Sequence, residues 1–144
     1  MGLLRMTSAP LITVESSMSV FEAVQAMAQK KIGAVVVMEG NVAVGICSER
    51  DIMFRVVVEK RDPENTPIND VMTAPLITIS RRSTADDALK LMLDKHIRHL
   101  PVIDVDGTMA GMISIRNLLH EKVAELTDQL DSLEAYFTAD GSGG

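Results

Sequence analysis

The sequence predicts an α+β fold built from one small unit used twice. The segment MTSAPLITV beginning at Met6 returns as MTAPLITI at Met72, and GICSERDI from Gly45 returns as GMISIRNL from Gly111. The starts at 6 and 72 give a period of about 66 residues, too long for a solenoid and suited to a duplicated domain. Within each copy, short β-branched runs alternate with one stretch at helical spacing. The chain of 144 residues is 47% hydrophobic, which excludes a disordered polymer.

Each copy reads as strand, helix, strand, strand, helix. Leu11–Val14 and Leu76–Ile79 follow a Pro and are β-branched, so they predict a first strand. Ser19 with Glu22 and Thr84 with Asp87 have capping-box spacing. Val20, Ala23, Val24 and Met27 then recur at i, i+3, i+4, i+7, as do Ala85, Ala88, Leu89 and Met92. The runs Ile32–Met38 and Val42–Cys47, and Leu100–Val105 and Met109–Ile113, are joined by Glu-Gly-Asn and Asp-Gly, which predict hairpins. A second helix is expected near Arg50 and near Arg116. Lys60–Pro67 (KRDPENTP) carries turn residues without apolar periodicity and reads as a linker. The resulting boundaries are a first copy at 6–60, a linker at 61–71, a second copy at 72–123, a C-terminal helix at 124–138 and a disordered tail at 139–144. In the C-terminal helix Leu119, Val123, Leu126, Leu130, Leu133 and Phe137 alternate four- and three-residue steps like a short coiled-coil seam. That seam could pack on a neighbouring subunit or on its own module.

Composition excludes several functions. A net charge of −6 and a pI near 5.0 argue against nucleic acid as a partner. With no Trp and only Phe21, Phe54, Tyr136 and Phe137, a base-stacking platform is not expected. No apolar run approaches the roughly 18 residues that span a bilayer, and the start MGLLRM lacks a signal-peptide pattern. Cys47 is alone and suits a reducing, cytoplasmic setting; in an apolar strand it reads as a core residue rather than a nucleophile. Gly40–Gly45 begins like a P-loop, but Ile46 and Cys47 stand where Lys and Ser/Thr are required. His96 and His99 are three apart without neighbouring thiolates, so no metal is expected. No nucleophile–base pair is present either, and catalysis is not expected.

Ligand chemistry concentrates at Ser48-Glu49-Arg50-Asp51 and Ser114-Ile115-Arg116-Asn117, each between a strand and a helix. Free amides and the helix dipole attract anions there, Ser and Arg can add phosphate contacts, and Asp51 can accept from ribose hydroxyls. The plainer reading is a helix cap, and the two roles can coexist. The paired MTxPLITV starts, the segment IRHLPVID and the duplicated G-h-x-S-x-x-[D/N]-h endings resemble tandem cystathionine-β-synthase (CBS) domains, the pair called a Bateman module. The likeness covers residues 6–123. It implies two CBS domains, each β-α-β-β-α, packed as a pair with a C-terminal helix extension.

The resemblance further implies a regulatory module, without catalytic cofactors, that binds AMP, ADP, ATP, NAD(H) or S-adenosylmethionine and acts on an unidentified protein target. Two-fold dimers are usual in such modules. Asp51 and Asn117 would take ribose, Asn117 without the negative charge. Ser48, Arg50, Arg98, His99, Ser114 and Arg116 would meet phosphate, although Arg98 and His99 could equally be solvated residues ahead of a strand. Ser48 and Asp51 would work with Thr73, Ile77 and the Arg98–Leu100 segment. Ser114 and Asn117 would work with Thr7, Ile12, Gly33 and Ala34, and Thr7, Ile12, Gly33, Ala34, Thr73, Ile77 and Leu100 would form the adenine pockets. The competing function is a ligand-free dimerisation module that docks a partner.

Overall fold

A computed structural model describes residues 3–7 and 11–143, with the backbone alone for 4, 5 and 139–143. In chain order the elements are β1 (Thr13–Glu15), α1 (Val20–Lys30), β2 (Ala34–Glu39), β3 (Val42–Ser48), α2 (Glu49–Ile52), β4 (Ile79–Ser80), α3 (Ala85–Lys95), β5 (His99–Ile103), β6 (Met109–Ser114) and α4 (Ile115–Gly143). A π-turn segment, Met53–Val57, continues α2, and short 3₁₀ turns cover Leu3–Met6 and Ile68–Asp70. By its contacts the chain divides into a first unit of residues 9–78 and a second of residues 79–144 joined by residues 1–8.

Both units follow one plan. In the first, β2 is central, parallel to β1 and antiparallel to β3; in the second, β5 is central between β4 and β6 in the same senses. The central position explains why Ala34, Val35, Val36 and Val37 are buried in succession rather than alternately. The first strands are shorter and start later than their β-branched runs predict: pairing begins at Thr13 and at Ile79.

The predicted caps form. Ser19 Oγ accepts from the Glu22 N–H at 3.2 Å. At Thr84 the box is reciprocal: Oγ1 accepts from the Asp87 N–H at 3.1 Å, and Asp87 Oδ2 accepts from the Thr84 N–H at 3.0 Å. Each helix buries the expected stripe, Val20, Ala23 and Met27 on α1 and Ala88 and Met92 on α3. Burying each of the larger side chains contributes roughly 1.5–3 kcal/mol.

The segment read as a linker is part of the first core. Ser19 and Pro67 form an antiparallel bridge, with the Val20 N–H donating to Thr66 C=O at 2.9 Å and the Ile68 N–H to Met18 C=O at 2.7 Å. Ile68 and Val71 lie fully buried among Val14, Val35 and Val56. The composition missed this because the anchors stand just past the turn residues and have no periodicity of their own. A second departure concerns the C-terminus. α4 runs unbroken from Ile115, so residues 124–138 continue the last helix of the second copy, and the backbone predicted to be a disordered tail stays helical to Gly143. Gly144 lies outside the described residues.

The compact units exchange their leading segments. Residues 72–78 open the second copy yet belong to the first unit, where Thr73 bridges Ile46 of β3: the Ile46 N–H donates to Thr73 C=O at 3.0 Å and the Thr73 N–H to Ile46 C=O at 2.7 Å. In the second unit, Leu3 and Met6 are buried and Thr7 lies against β6. Glycine makes both crossings possible. A Cβ on Gly45 would stand 2.7 Å from Met72 Sδ and 2.8 Å from Thr73 O; on Gly111 it would stand 2.7 Å from Thr7 Cβ.

Gly45→Ala and Gly111→Ala are each expected to destabilise the protein by about 1–3 kcal/mol, the usual cost of overpacking. Differential scanning calorimetry should show a loss of several degrees in Tm, and an unchanged Tm would refute the close crossing. A second expectation concerns pH. The backbone N–H and then the hydroxyl of Thr84 hold the Asp87 carboxyl below its ordinary 3.8. A group depressed in the folded state stabilises above its unfolded value and loses that contribution as pH falls through its folded value. The Tm gap between wild type and Asp87→Asn should therefore narrow below about pH 3.8; a gap constant down to pH 2 would exclude the carboxylate's share.

Candidate ligand-binding site

The site residues of the first unit are assembled at the β3–α2 junction. Ser48 is the N-cap of α2: its Oγ accepts from the Asp51 N–H at 3.3 Å, and Asp51 Oδ2 accepts from the Ser48 N–H at 2.9 Å and from Ser48 Oγ–H at 3.2 Å. The other carboxylate oxygen, Oδ1, accepts from the Thr73 hydroxyl at 3.0 Å. Asp51 is thus both a cap and the partner of the crossing arm. Its side chain is 13% exposed. A carboxylate offers about four acceptor sites; the two Ser48 bonds and the Thr73 bond leave one on Oδ1. The Thr73 oxygen, having given its proton, can itself accept. Two acceptors side by side match the two hydroxyls of a vicinal diol.

The helix starts are less open to anions than the sequence suggests. The Glu49 N–H donates to Gly33 C=O at 2.9 Å, and at the equivalent place the Ile115 N–H donates to Arg98 C=O at 2.8 Å. The Asn117 N–H donates to Ser114 Oγ at 3.2 Å, repeating the Ser48–Asp51 cap. Two first-turn amides at each junction therefore already have partners. Gly33 and Arg98 thus share a role the sequence did not reveal: their carbonyls tie each central strand to the following helix.

The remaining predicted residues are spread over both units. Arg50 is exposed, with its guanidinium 5.9 Å from the Phe54 ring centroid, a cation–π contact. Arg98 and Arg116 are exposed, and His99 is half-buried in β5 opposite Ser114. Arg116 and Asn117 line a hollow of about 540 Å³ with His120, and Gly33 lines one of about 460 Å³ with Lys31 and Glu49. Thr7, Ile12 and Ile77 are half-buried. Leu100, expected in the adenine pocket, is fully buried in the core of the second unit, and Ala34 is nearly so. Cys47 is also in the core, and burial first, then the Asp51 charge, pushes its thiol up to about 12, so it carries no thiolate at neutral pH.

The family model for the CBS domain matches twice, at residues 3–58 and 68–124. The chain belongs to the CBS domain family. Its pair of CBS domains is 37% identical over 123 residues to a mitochondrial CBS domain-containing protein of Arabidopsis thaliana, covering 82% of this chain and 59% of that protein. The chain therefore spans less than two thirds of that relative. Among solved structures, a protein with CBS domains from Burkholderia ambifaria superposes with a TM-score of 0.80 at 32% identity, over 86% of this chain and 95% of the other. A CBS domain protein from Pyrobaculum aerophilum, solved in complex with AMP, has a TM-score of 0.74 at 24% identity, covering 81% and 89%. CBS pairs are in general regulatory ligand-binding modules. Among the described residues, no helix is long and apolar enough to cross a membrane.

Sequence reasoning missed Arg55. Its Nη1 donates to Met72 C=O at 2.6 Å and to Val71 C=O at 3.2 Å. The available signal was its place four residues after Asp51 on one helix, the spacing of an Asp–Arg pair.

Proposed function

We propose that this CBS pair is a regulatory module that binds an adenosine-containing ligand, AMP, ADP, ATP or NAD(H), and through it controls a partner protein. The observation that carries the reading is the pairing of the Asp51 carboxylate with the Thr73 hydroxyl, two adjoining acceptors suited to a ribose diol. Arg98, Arg50 and the second copy's Ser114, Arg116 and Asn117 are the candidates for phosphate and for a second, weaker site. The AMP complex of the Pyrobaculum relative concerns a protein alike in fold, and the reading for this chain rests on Asp51. S-adenosylmethionine carries the same ribose and stays within the ligand panel. The single buried Cys47 suits a reducing compartment, the cytoplasm in this reading.

Calorimetric titration with AMP, ADP, ATP, NAD(H) and S-adenosylmethionine in turn is expected to show binding of at least one. At a hundred times its dissociation constant, such a ligand should add about 2.7 kcal/mol of stability. Asp51→Ala would remove three hydrogen bonds from the fold itself, so Asp51→Asn, which makes the first site resemble Asn117, is the better variant. It should weaken binding about tenfold or more, as loss of a charged hydrogen bond does. Absence of heat and of thermal shift across the panel would overturn the ligand reading and favour the ligand-free dimerisation module.

The proposal includes a two-fold dimer. Met53, Phe54, Val57 and Val58 form one exposed apolar group beside α2, and the α4 seam from Leu119 to Phe137 is 47–66% exposed. An isologous interface would cover each group with its own copy. Light scattering is expected to give twice 15.6 kDa, and a chain ending after Glu121 is expected to remain dimeric through the module helices. A full-length monomer at micromolar concentration would refute the dimer, and a monomer only after truncation would move its interface to α4.

A further inference from the structure

Arg55 lies one turn beyond Asp51, in the π-turn segment that continues α2. Its Nη1 is bonded to the carbonyls of Val71 and Met72, and its Nε stands 3.9 Å from Asp51 Oδ1. Those two carbonyls immediately precede Thr73, whose hydroxyl meets the same carboxylate oxygen. A single guanidinium thus ties the crossing arm to the helix that carries Asp51. Guanidinium suits the task because it holds several donors in a fixed fork and keeps its charge at any physiological pH.

We propose that Arg55 is the positioning residue of the first site: it fixes the arm so that Thr73 and Asp51 are set against each other before a ligand arrives. The proposal rests on the ligand reading above for its effect on affinity, but not for its effect on the arm. Pre-set groups lose less freedom on binding, so affinity should depend on Arg55 although it acts through Thr73 and Asp51.

The second copy departs from this plan at two linked positions. Asn117 stands in the place of Asp51, and Glu121, four residues on, in the place of Arg55. A carboxylate cannot donate to the carbonyls of an arm as Arg55 does; in the arm of the second unit Leu3 and Met6 are buried. An Asp at 117 would face Glu121 at i, i+4 with like charge, which is unfavourable; Asn avoids this. The Asp–Arg pair is thus present as a pair in one copy and replaced as a pair in the other. A cation four residues after the acceptor is a property of the first copy's sequence, and it distinguishes that copy from its duplicate.

The test compares full-length wild type with Arg55→Ala, Arg55→Lys and Thr73→Val. Amide hydrogen exchange reads the arm directly. Arg55→Ala should accelerate exchange at Thr73 and Ile46 about tenfold, as expected for loss of charged hydrogen bonds, while Val36, whose N–H donates to Ile12 C=O in the same sheet, keeps its rate. Arg55→Lys should be intermediate, since its single ammonium matches two carbonyls less well. Titration with AMP and with ATP reads the site: Arg55→Ala should lose about tenfold in affinity, and adding Thr73→Val should cost little more. Such non-additivity marks action through the arm, whereas general loss of stability would not couple the two residues. Unchanged exchange at Thr73 would overturn the proposal, and so would accelerated exchange with unchanged affinity, or losses that multiply. If wild type binds no nucleotide, the ligand reading fails separately, and the hold of Arg55 on the arm is decided by exchange alone.

Discussion

Everything in the first unit depends on a segment of the other copy passing directly over β3, and a side chain at Gly45 would block it. The strand is crossed where Thr73 O lies 2.8 Å from the position of an absent Cβ. Gly111 leaves the corresponding room for Thr7 on β6. The glycines are matched further: Gly45 pairs with Val37 and Gly111 with Val102, and in each sheet the register shifts at the next residue of the central strand. A bulge there increases local twist and turns the outer strand. A three-stranded sheet with one helical layer cannot bury both faces on its own. The arm and the strap before it bring Ile68 and Val71 to the first core, and Leu3 and Met6 serve the second.

This dependence explains what the sequence could and could not disclose. The elements that bury a periodic face were legible: α1 and α3 begin at Ser19 and Thr84, and their buried stripes follow the spacing. The hairpins were legible because Gly40 and Gly107, with φ of 60° and 88°, supply the left-handed backbone that their turns need. The strap was not. Its anchors, Ile68 and Val71, are two apolar residues after a run of Asp, Pro, Glu and Asn, and no period distinguishes them from a tether. Their burial is decided by tertiary contact, to which local pattern is blind. The exchange of leading segments was equally hidden, because a repeat in sequence marks the unit of duplication and not the unit of packing.

The site was half legible for a related reason. Spacing alone gave S-x-x-D two readings, a helix cap and a ligand acceptor, and both depend on the same oxygens. Ser48 and Asp51 make a full cap, which consumes one carboxylate oxygen and an amide that an anion could have used. Oδ1 is left to the arm through the Thr73 hydroxyl. Arg98 carries a side chain that suits phosphate, yet what the second unit takes from it is its backbone carbonyl, the same service that Gly33 performs in the first. A residue type announces side-chain chemistry and is silent about a carbonyl. For that reason the equivalence of Gly33 and Arg98 could not be read from their identities.

The two copies differ at a pair of positions four residues apart while sharing the parts of the scaffold around them. The parts that make the unit fold are kept in both copies: the N-cap Ser or Thr, the glycine under the arm, the bulge, the carbonyl tie to the next helix. The parts that differ lie at the β–α junction and beyond it, where Asp51 and Arg55 become Asn117 and Glu121. Divergence there costs the fold little, because Ser114 still caps α4 through the Asn117 N–H and Leu118 is fully buried beneath. In the proposed reading it would change the chemistry offered to a ligand, from Asp51 with the Arg55 guanidinium 3.9 Å away to Asn117 with Glu121 four residues on. Under that proposal two copies of one scaffold would present sites of unlike charge, and a ligand rich in negative charge would have reason to prefer the first.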